Sequence, residues 1–143
     1  MPLVRIDLRT GRSPDLRRAL GNAVYRAMTE VANVPDGDRF VVITEHDASG
    51  LLYDPSYLGV ARSDSIILIQ ITLNAGRSLA IKKALYQRIA ELLRELDVRK
   101  EDVFVSLVEV PKENWSFGNG IAQYAAETVG SFDTFPPPRE RKS

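Results

Sequence analysis

Apolar and polar residues alternate along the chain with two different periods, which predict strands and helices in turn. Near the start, Val4, Ile6 and Leu8 alternate with charged residues, and this spacing is typical of a strand with one buried face. Apolar residues then recur every three or four positions behind Ser13 and Pro14, a pair that is typical of a helix start. The patterns predict strands over residues 3–8, 39–45, 65–73 and 103–110, and helices over residues 14–32 and 79–96.

The two halves of the chain repeat one another residue by residue. At an offset of 65, seven residues of the first half recur in order, and after a one-residue slip five more recur at an offset of 64. An internal duplication of a strand–helix–strand unit explains these identities, with copies at residues 2–46 and 65–110. The repeated residues are Ile6, Leu8, Gly11, Arg12, Ser13, Ala19, Leu20, Val34, Asp38, Phe40, Val41 and Glu45, which match Ile71, Leu73, Gly76, Arg77, Ser78, Ala84, Leu85, Val98, Asp102, Phe104, Val105 and Glu109.

The duplication predicts an α/β fold of two β-α-β units in a four-stranded sheet with both helices on one face. Each unit makes its two strands parallel through a right-handed crossover. The opposite sheet face is expected to stay apolar and uncovered, which favours oligomerisation, and the apolar third strand indicates burial on both faces. Residues 2–130 are expected to form one domain, with a loop or hairpin at 47–64 and an arm or tail at 131–143.

Composition excludes several common kinds of chemistry. With 19 basic and 19 acidic side chains among 143 residues, the net charge is zero, which argues against nucleic-acid or membrane binding through bulk charge. The chain has no cysteine and a single histidine, His46, so disulfides, thiol catalysis and a histidine-rich metal site are excluded. We expect His46 to be a surface or capping residue. We also expect a cytoplasmic protein, because neither a signal peptide nor a membrane-spanning run is visible.

Pro2 is the first candidate for proton transfer. Removal of Met1 would expose a secondary amine, and an α-amino group has a pKa of about 7.7–8.0, so modest burial brings it into the range of a neutral-pH base. In its protonated form the same amine is a cationic acid. Met-Pro starts also occur without any function, and a retained Met1 would block this amine.

Arg77 and Asp38 are the candidates for binding a substrate and assisting the reaction. Arg77 directly precedes the cap of the second helix, where a guanidinium and the helix dipole both favour an anion such as a carboxylate. Its copy, Arg12, is expected to be a solvated arginine. Asp38 lies in the turn before the second strand, where it could accept a proton, orient water or pair with Arg39. Its copy Asp102 favours the plainer interpretation of a turn acid.

An aromatic and glycine-rich segment follows the fourth predicted strand. It reads W-S-F-G-N-G from Trp115 to Gly120, which predicts an ordered loop or hairpin rather than a linker. Trp115 and Phe117 could wall an apolar pocket, or they could simply cap the core.

Together these features resemble the tautomerase superfamily, and within it the malonate semialdehyde decarboxylase family. The resemblance covers roughly residues 2–130, and its most specific piece is the W-S-F-G-x-G-x-A-Q segment that begins at Trp115. One departure lies at Arg77, where some members carry R-x-R and this chain has A-G-R, a form that other members share. The other matching residues are Pro2-Leu3 with I-D-L, Val34-Pro35, Asp38-Arg39-Phe40, Thr44-Glu45-His46, Leu58-Gly59, Arg62-Ser63 and Ala122-Gln123-Tyr124.

The resemblance implies roles for particular residues and an assembly. The N-terminal proline, here Pro2, acts as a general acid or base; an aspartate matching Asp38 assists it; and an arginine matching Arg77 binds the substrate carboxylate. Family members are homotrimers, which agrees with the uncovered sheet face predicted above. The pocket-lining positions of the family match Trp115, Phe117, Tyr124 and Val129.

The leading hypothesis is therefore a cofactor-free enzyme that acts on a small carboxylate-bearing oxo acid. The implied reaction is decarboxylation of malonate semialdehyde to acetaldehyde and CO2. Keto–enol tautomerisation of a pyruvate derivative such as phenylpyruvate would use the same residues, and hydration of an unsaturated or halogenated acrylate is a third alternative. An oligomeric small-molecule-binding module, which needs no free amine, is the alternative outside enzymes.

Overall fold

Each half of the molecule folds as strand, helix and strand. The computed structural model describes residues 2–125. All six predicted elements are present, and their ends lie within two residues of the predicted ones. They are β1 (Leu3–Arg9), α1 (Pro14–Val31), β2 (Val41–His46), β3 (Ile67–Asn74), α2 (Leu79–Arg94) and β4 (Val103–Val110).

The four strands form one sheet in the order β2-β1-β3-β4. Within each repeat the strands are parallel, as a crossover helix requires, and the central pair β1 and β3 is antiparallel and joins the two repeats. Both helices pack on the same sheet face, so the predicted architecture is confirmed.

Serine caps fix where the helices begin. The Ser13 side chain accepts the Leu16 N–H at 3.1 Å, and the Ser78 side chain accepts the Ile81 N–H at 3.3 Å. Each bond satisfies one of the backbone donors that the first helical turn leaves without a partner. At the other end, α1 stops at Ala32, and the next residue, Asn33, adopts a left-handed conformation with φ of 57°.

The core lies between the inner sheet face and the two helices. Alternate residues of β1 and β3 point into it, and both helices contribute one apolar stripe. The largest fully buried side chains are those of Ile6, Leu8, Leu20, Met28, Ile66, Ile67, Ile69, Ile71, Leu73, Leu85, Ile89 and Leu93.

No helix or strand of residues 2–110 covers the outer sheet face. Val42 and Phe104 are 42% and 47% exposed there, but Arg5 pairs with Val42 and Gln70 pairs with Arg5 on the same face, so the face is mixed rather than apolar as predicted. Within a single chain, the prediction that the third strand is buried on both faces is not met. β3 alternates between buried and more exposed residues, because helices cover only one side of the sheet.

The segment between the repeats, residues 47–64, is a loop with a single helical turn at Tyr57–Gly59. Among the described residues, those from 111 to 125 belong to a second compact unit. The boundary predicted at residue 130 lies outside the described residues. No helix in the described part of the chain is long and apolar enough to cross a membrane.

Candidate functional site

Strand directions bring the predicted site residues to one end of the sheet. Because β1 runs parallel to β2 and antiparallel to β3, the first residues of β1 and β2 lie beside the last residues of β3. Leu3 pairs with Thr72, and the Val4 N–H donates to the Phe40 carbonyl at 2.9 Å. Pro2, the turn that holds Asp38 and the turn that holds Arg77 therefore share this end, which we call the Pro2 end.

Pro2 is buried immediately before β1. A proline cannot donate a ladder hydrogen bond, so the first position of a strand is one of the few places in a sheet where it fits. Its neighbours there are the chain that leads into β2 at Phe40 and the last residues of β3.

Asp38 closes a four-residue turn and is half-buried. Its backbone N–H donates to the Pro35 carbonyl at 3.3 Å, and the Gly37 N–H inside the turn donates to the Tyr25 hydroxyl at 2.8 Å. Arg39, the next residue, donates to Asn22 of α1 at 2.7 Å. Hydrogen bonds to Tyr25 and Asn22 thus tie the turn to α1, and the turn places Asp38 at the Pro2 end.

Arg77 is held by two backbone carbonyls. Its Nε donates to the Ala32 carbonyl at 2.9 Å and its Nη1 to the Asn74 carbonyl at 3.2 Å. Ala32 ends α1, where carbonyls lack helical partners, so the guanidinium also completes that helix end. Within the described residues, Nη2 makes no hydrogen bond. Burial lowers the pKa of Arg77, and the negative charge of Glu109 opposes this shift, so the side chain stays a cation with an edge available to an anion.

Glu109, in β4, also belongs to this end, although we did not predict it as a site residue. It accepts the Gly76 N–H at 3.3 Å and forms an ion pair with Lys82. Hydrogen bonding from Lys82 is the main cause that lowers the pKa of Glu109, while burial works against it. The sequence feature that could have pointed to Glu109 is the internal repeat, in which Glu109 matches Glu45.

The opposite end of the sheet contains the second copy of these groups. Glu45 accepts the Gly11 N–H at 3.2 Å and pairs with Arg17, as Glu109 does with Gly76 and Lys82. The two repeats therefore build the same turn before their helices.

The interrepeat loop occupies this opposite end. Arg12 donates to the Ser65 carbonyl at 2.7 Å, so it is not the purely solvated arginine that we expected. Asp102 is fully buried and accepts both the N–H and the hydroxyl of Ser63 at 2.7 Å. Ile67, the copy of Pro2, is buried inside a strand. At the opposite end, the interrepeat loop thus binds Arg12 and Asp102. In the described residues, it does not bind their copies at the Pro2 end, Arg77 and Asp38, in this way.

The second unit contains an aromatic cluster, defined here as Trp115, Phe117 and Tyr124. The Trp115 and Phe117 rings stack at 5.5 Å, and the Tyr124 ring meets Phe117 edge-on at 5.0 Å. The Gln123 side chain accepts the Phe117 N–H at 2.9 Å and donates to the Gly118 carbonyl at 3.0 Å, which makes this segment the ordered loop that we predicted. The pocket-lining role of the aromatic cluster stays a prediction, and Val129 lies outside the described residues.

His46 lies at the end of β2, with its Nε2 2.6 Å from the Asp7 carboxylate on the outer sheet face. It is a partly exposed surface residue, as expected. Among residues 2–125, no group of three histidine, cysteine or acidic side chains lies close enough together to hold a metal ion.

Comparison with known proteins identifies the family. Two family models, both described as tautomerase enzyme, match residues 38–118 and residues 2–61. The probable tautomerase YusQ of Bacillus subtilis (strain 168) is 48% identical over 124 residues, which cover 86% of this chain and 98% of that protein. This chain belongs to the tautomerase family. The chain is therefore an enzyme, and the alternative of a non-enzymatic binding module is wrong.

Solved structures agree with this membership. The FG41 malonate semialdehyde decarboxylase inhibited by 3-bromopropiolate is 38% identical with a TM-score of 0.83, and the match covers 90% of this chain and 98% of that chain. A second malonate semialdehyde decarboxylase is 30% identical with a TM-score of 0.82 and coverage of 87% and 96%. A fused 4-OT symmetric trimer, at 24% identity, TM-score 0.70 and coverage of 86% and 98%, shares the fold.

Proposed function

We propose that this enzyme decarboxylates malonate semialdehyde to acetaldehyde and CO2. The observation that carries the proposal is Arg77, a partly buried cation with two donors held by protein carbonyls, at the same sheet end as Pro2. The similarity to two malonate semialdehyde decarboxylases supports this substrate. One of those enzymes was also solved as a variant with alanine in place of proline at its first position.

Binding of the substrate relies on Arg77. Its guanidinium keeps a fixed orientation because the Ala32 and Asn74 carbonyls hold Nε and Nη1. The remaining N–H groups can donate to the substrate carboxylate or to its carbonyl oxygen. Burial lowers the pKa of Arg77, and the same partial exclusion of water strengthens its attraction for an anion.

Pro2 supplies the proton chemistry once Met1 has been removed. When the bond between the carboxylate carbon and the methylene carbon breaks, its electron pair moves toward the aldehyde oxygen and forms an enolate. A protonated Pro2 amine stabilises this negative charge and then gives its proton to the methylene carbon, which yields acetaldehyde. Water returns the proton to the amine. Asp38, held at the same end, assists by accepting a proton or orienting a water molecule.

Keto–enol tautomerisation is the second candidate. The Bacillus subtilis relatives YusQ and YrdN, 48% and 31% identical, are both called probable tautomerases. The same amine would take a proton from one atom of a pyruvate derivative such as phenylpyruvate and return it to another. Hydration is the third, because the decarboxylase that is 30% identical is described as having both decarboxylase and hydratase activities.

The first test is to assay Pro2→Ala and Arg77→Ala on malonate semialdehyde and on the enol of phenylpyruvate. Alanine at this position keeps a primary α-amine but loses the ring that fixes the nitrogen against β1, and misplacement of a catalytic group costs about 100-fold, so Pro2→Ala should lower kcat/KM by about that factor. Arg12→Ala is the matched control, because it removes the equivalent arginine from the opposite end, and it should keep the wild-type rate. Intact-mass analysis of the enzyme should show loss of Met1. Full activity of Pro2→Ala would contradict the mechanism. The substrate with the higher kcat/KM for the wild-type enzyme decides between decarboxylase and tautomerase.

A further inference from the structure

The turn that presents Arg77 is fastened from a neighbouring strand. Residues 75–78 connect β3 to α2, and Gly76 adopts a φ of +120°. The Gly76 N–H donates to the Glu109 carboxylate at 3.3 Å. Glu109 thus accepts a hydrogen bond from the residue directly before Arg77, and Glu109 makes no hydrogen bond to the Arg77 guanidinium within the described residues.

We propose that Glu109 is a positioning residue for Arg77, and this inference deepens the function proposed above and rests on it. Two sets of contacts are needed to place an arginine, one for its head group and one for its backbone. The Ala32 and Asn74 carbonyls orient the guanidinium, while Glu109 fixes the backbone turn from which the side chain starts. Loss of either set lets the binding edge move, and small displacements of a binding group are costly.

The charge of Glu109 has a second consequence at the same place. Its carboxylate forms an ion pair with Lys82, and its charge also opposes the lowering of the pKa of Arg77. Without the carboxylate, Lys82 would lose its partner beside the anion-binding arginine. A free ammonium there can attract the substrate carboxylate away from the bidentate geometry that a guanidinium provides. Glu109 therefore leaves Arg77 as the principal cation for the substrate.

The duplication provides a matched control for this role. Glu45 makes the equivalent contacts at the opposite end, with the Gly11 N–H and with Arg17. Glu45→Ala removes one backbone hydrogen bond and one ion pair, as Glu109→Ala does, but far from Arg77. A purely structural role predicts the same effect for both variants, whereas a positioning role predicts an effect on substrate binding for Glu109 alone.

The experiment measures kcat and KM with malonate semialdehyde, and the Kd of malonate by calorimetry as a probe that does not turn over. For Glu109→Ala we expect KM and Kd to rise about tenfold with kcat changed by less than about threefold, because a carboxylate contact made in both ground and transition state appears in KM. Glu109→Gln keeps an acceptor for the Gly76 N–H but leaves Lys82 without its ion-pair partner, so it should restore only the part of the affinity that depends on the backbone turn. Glu45→Ala should match the melting temperature of Glu109→Ala and keep the wild-type KM and Kd.

The outcomes separate this inference from the proposed function. If Arg77→Ala weakens malonate binding and Glu109→Ala does not, only the positioning role is overturned. If both glutamate variants raise KM equally, the effect is structural and the inference also fails. If Arg77→Ala leaves both malonate binding and turnover unchanged, the proposed function itself is wrong, and the role of Glu109 falls with it.

Discussion

At the scale of single residues, identical triplets acquire different partners. Gly11-Arg12-Ser13 and Gly76-Arg77-Ser78 adopt the same local structure, with glycine φ values of +119° and +120° and a serine cap behind each. Arg12 nevertheless donates to the loop carbonyl of Ser65, while Arg77 donates to Ala32 and Asn74. The difference arises outside the triplets, from the segments that the fold places beside them.

A pair of glycine variants tests whether the backbone conformation of the turn before α2 affects substrate binding. A β-carbon at Gly76 or at Gly11 meets no atom within 4 Å, so the cost of Gly76→Ala or Gly11→Ala comes from the backbone conformation alone. Each should lower the free energy of unfolding by about 1–3 kcal/mol, measured by urea denaturation. Only Gly76→Ala should also raise KM, because it alone shifts Arg77. Equal KM values in the two variants would contradict this expectation.

At the scale of elements, an ionic bridge joins the two helices. Glu30 of α1 accepts from Arg26 on its own helix at 2.8 Å and from Arg88 of α2 at 2.6 Å. The hydrogen bond from Arg88, and then that from Arg26, lower the pKa of Glu30 below its ordinary value of 4.5. The pattern of the sequence predicts both helices, but it does not say which of their charged residues meet.

This bridge should make part of the stability depend on pH. Because the pKa of Glu30 is lower in the folded state, its contribution is fully present above a pH of about 4.5 and disappears as the pH falls through the folded value. Glu30→Gln should therefore lower the melting temperature at pH 7, and the gap to wild type should narrow by pH 3. Glu95→Gln, at a position without a salt bridge in the described residues, is the control. A gap of constant size across this range would refute the expectation.

At the scale of the whole molecule, the outer sheet face, which no helix covers, is the candidate surface for contacts between subunits. Val42 and Phe104 are exposed on the two edge strands of that face. We propose that this enzyme is a homotrimer, the assembly that the family resemblance implies, with the outer sheet face buried between subunits. Exposed apolar side chains beside polar ones are typical of an interface between proteins.

Sedimentation velocity checks this proposal. The wild-type enzyme should sediment with about three times the chain mass of 15.9 kDa. Phe104→Glu places a charge on the outer sheet face and should shift the population toward the monomer, since a charge without a partner is costly to bury. Lys83→Glu, which changes an exposed charge on α2, is the control and should keep the wild-type mass. A wild-type protein of 15.9 kDa in solution would rule the trimer out.

The sequence alone determined the elements, the duplication and the family. Periodicity and serine caps depend on residues close in the chain, so they predicted all six elements, and the repeat predicted the sheet and its helices. Only the tertiary structure decided which residues share the Pro2 end, because the antiparallel pairing of β1 with β3 is what joins distant segments there. It also decided that Arg12 and Asp102 form hydrogen bonds with the interrepeat loop, and that Glu109 accepts a hydrogen bond from the turn that precedes Arg77. Such partners depend on contacts between residues far apart in sequence, which no local pattern records.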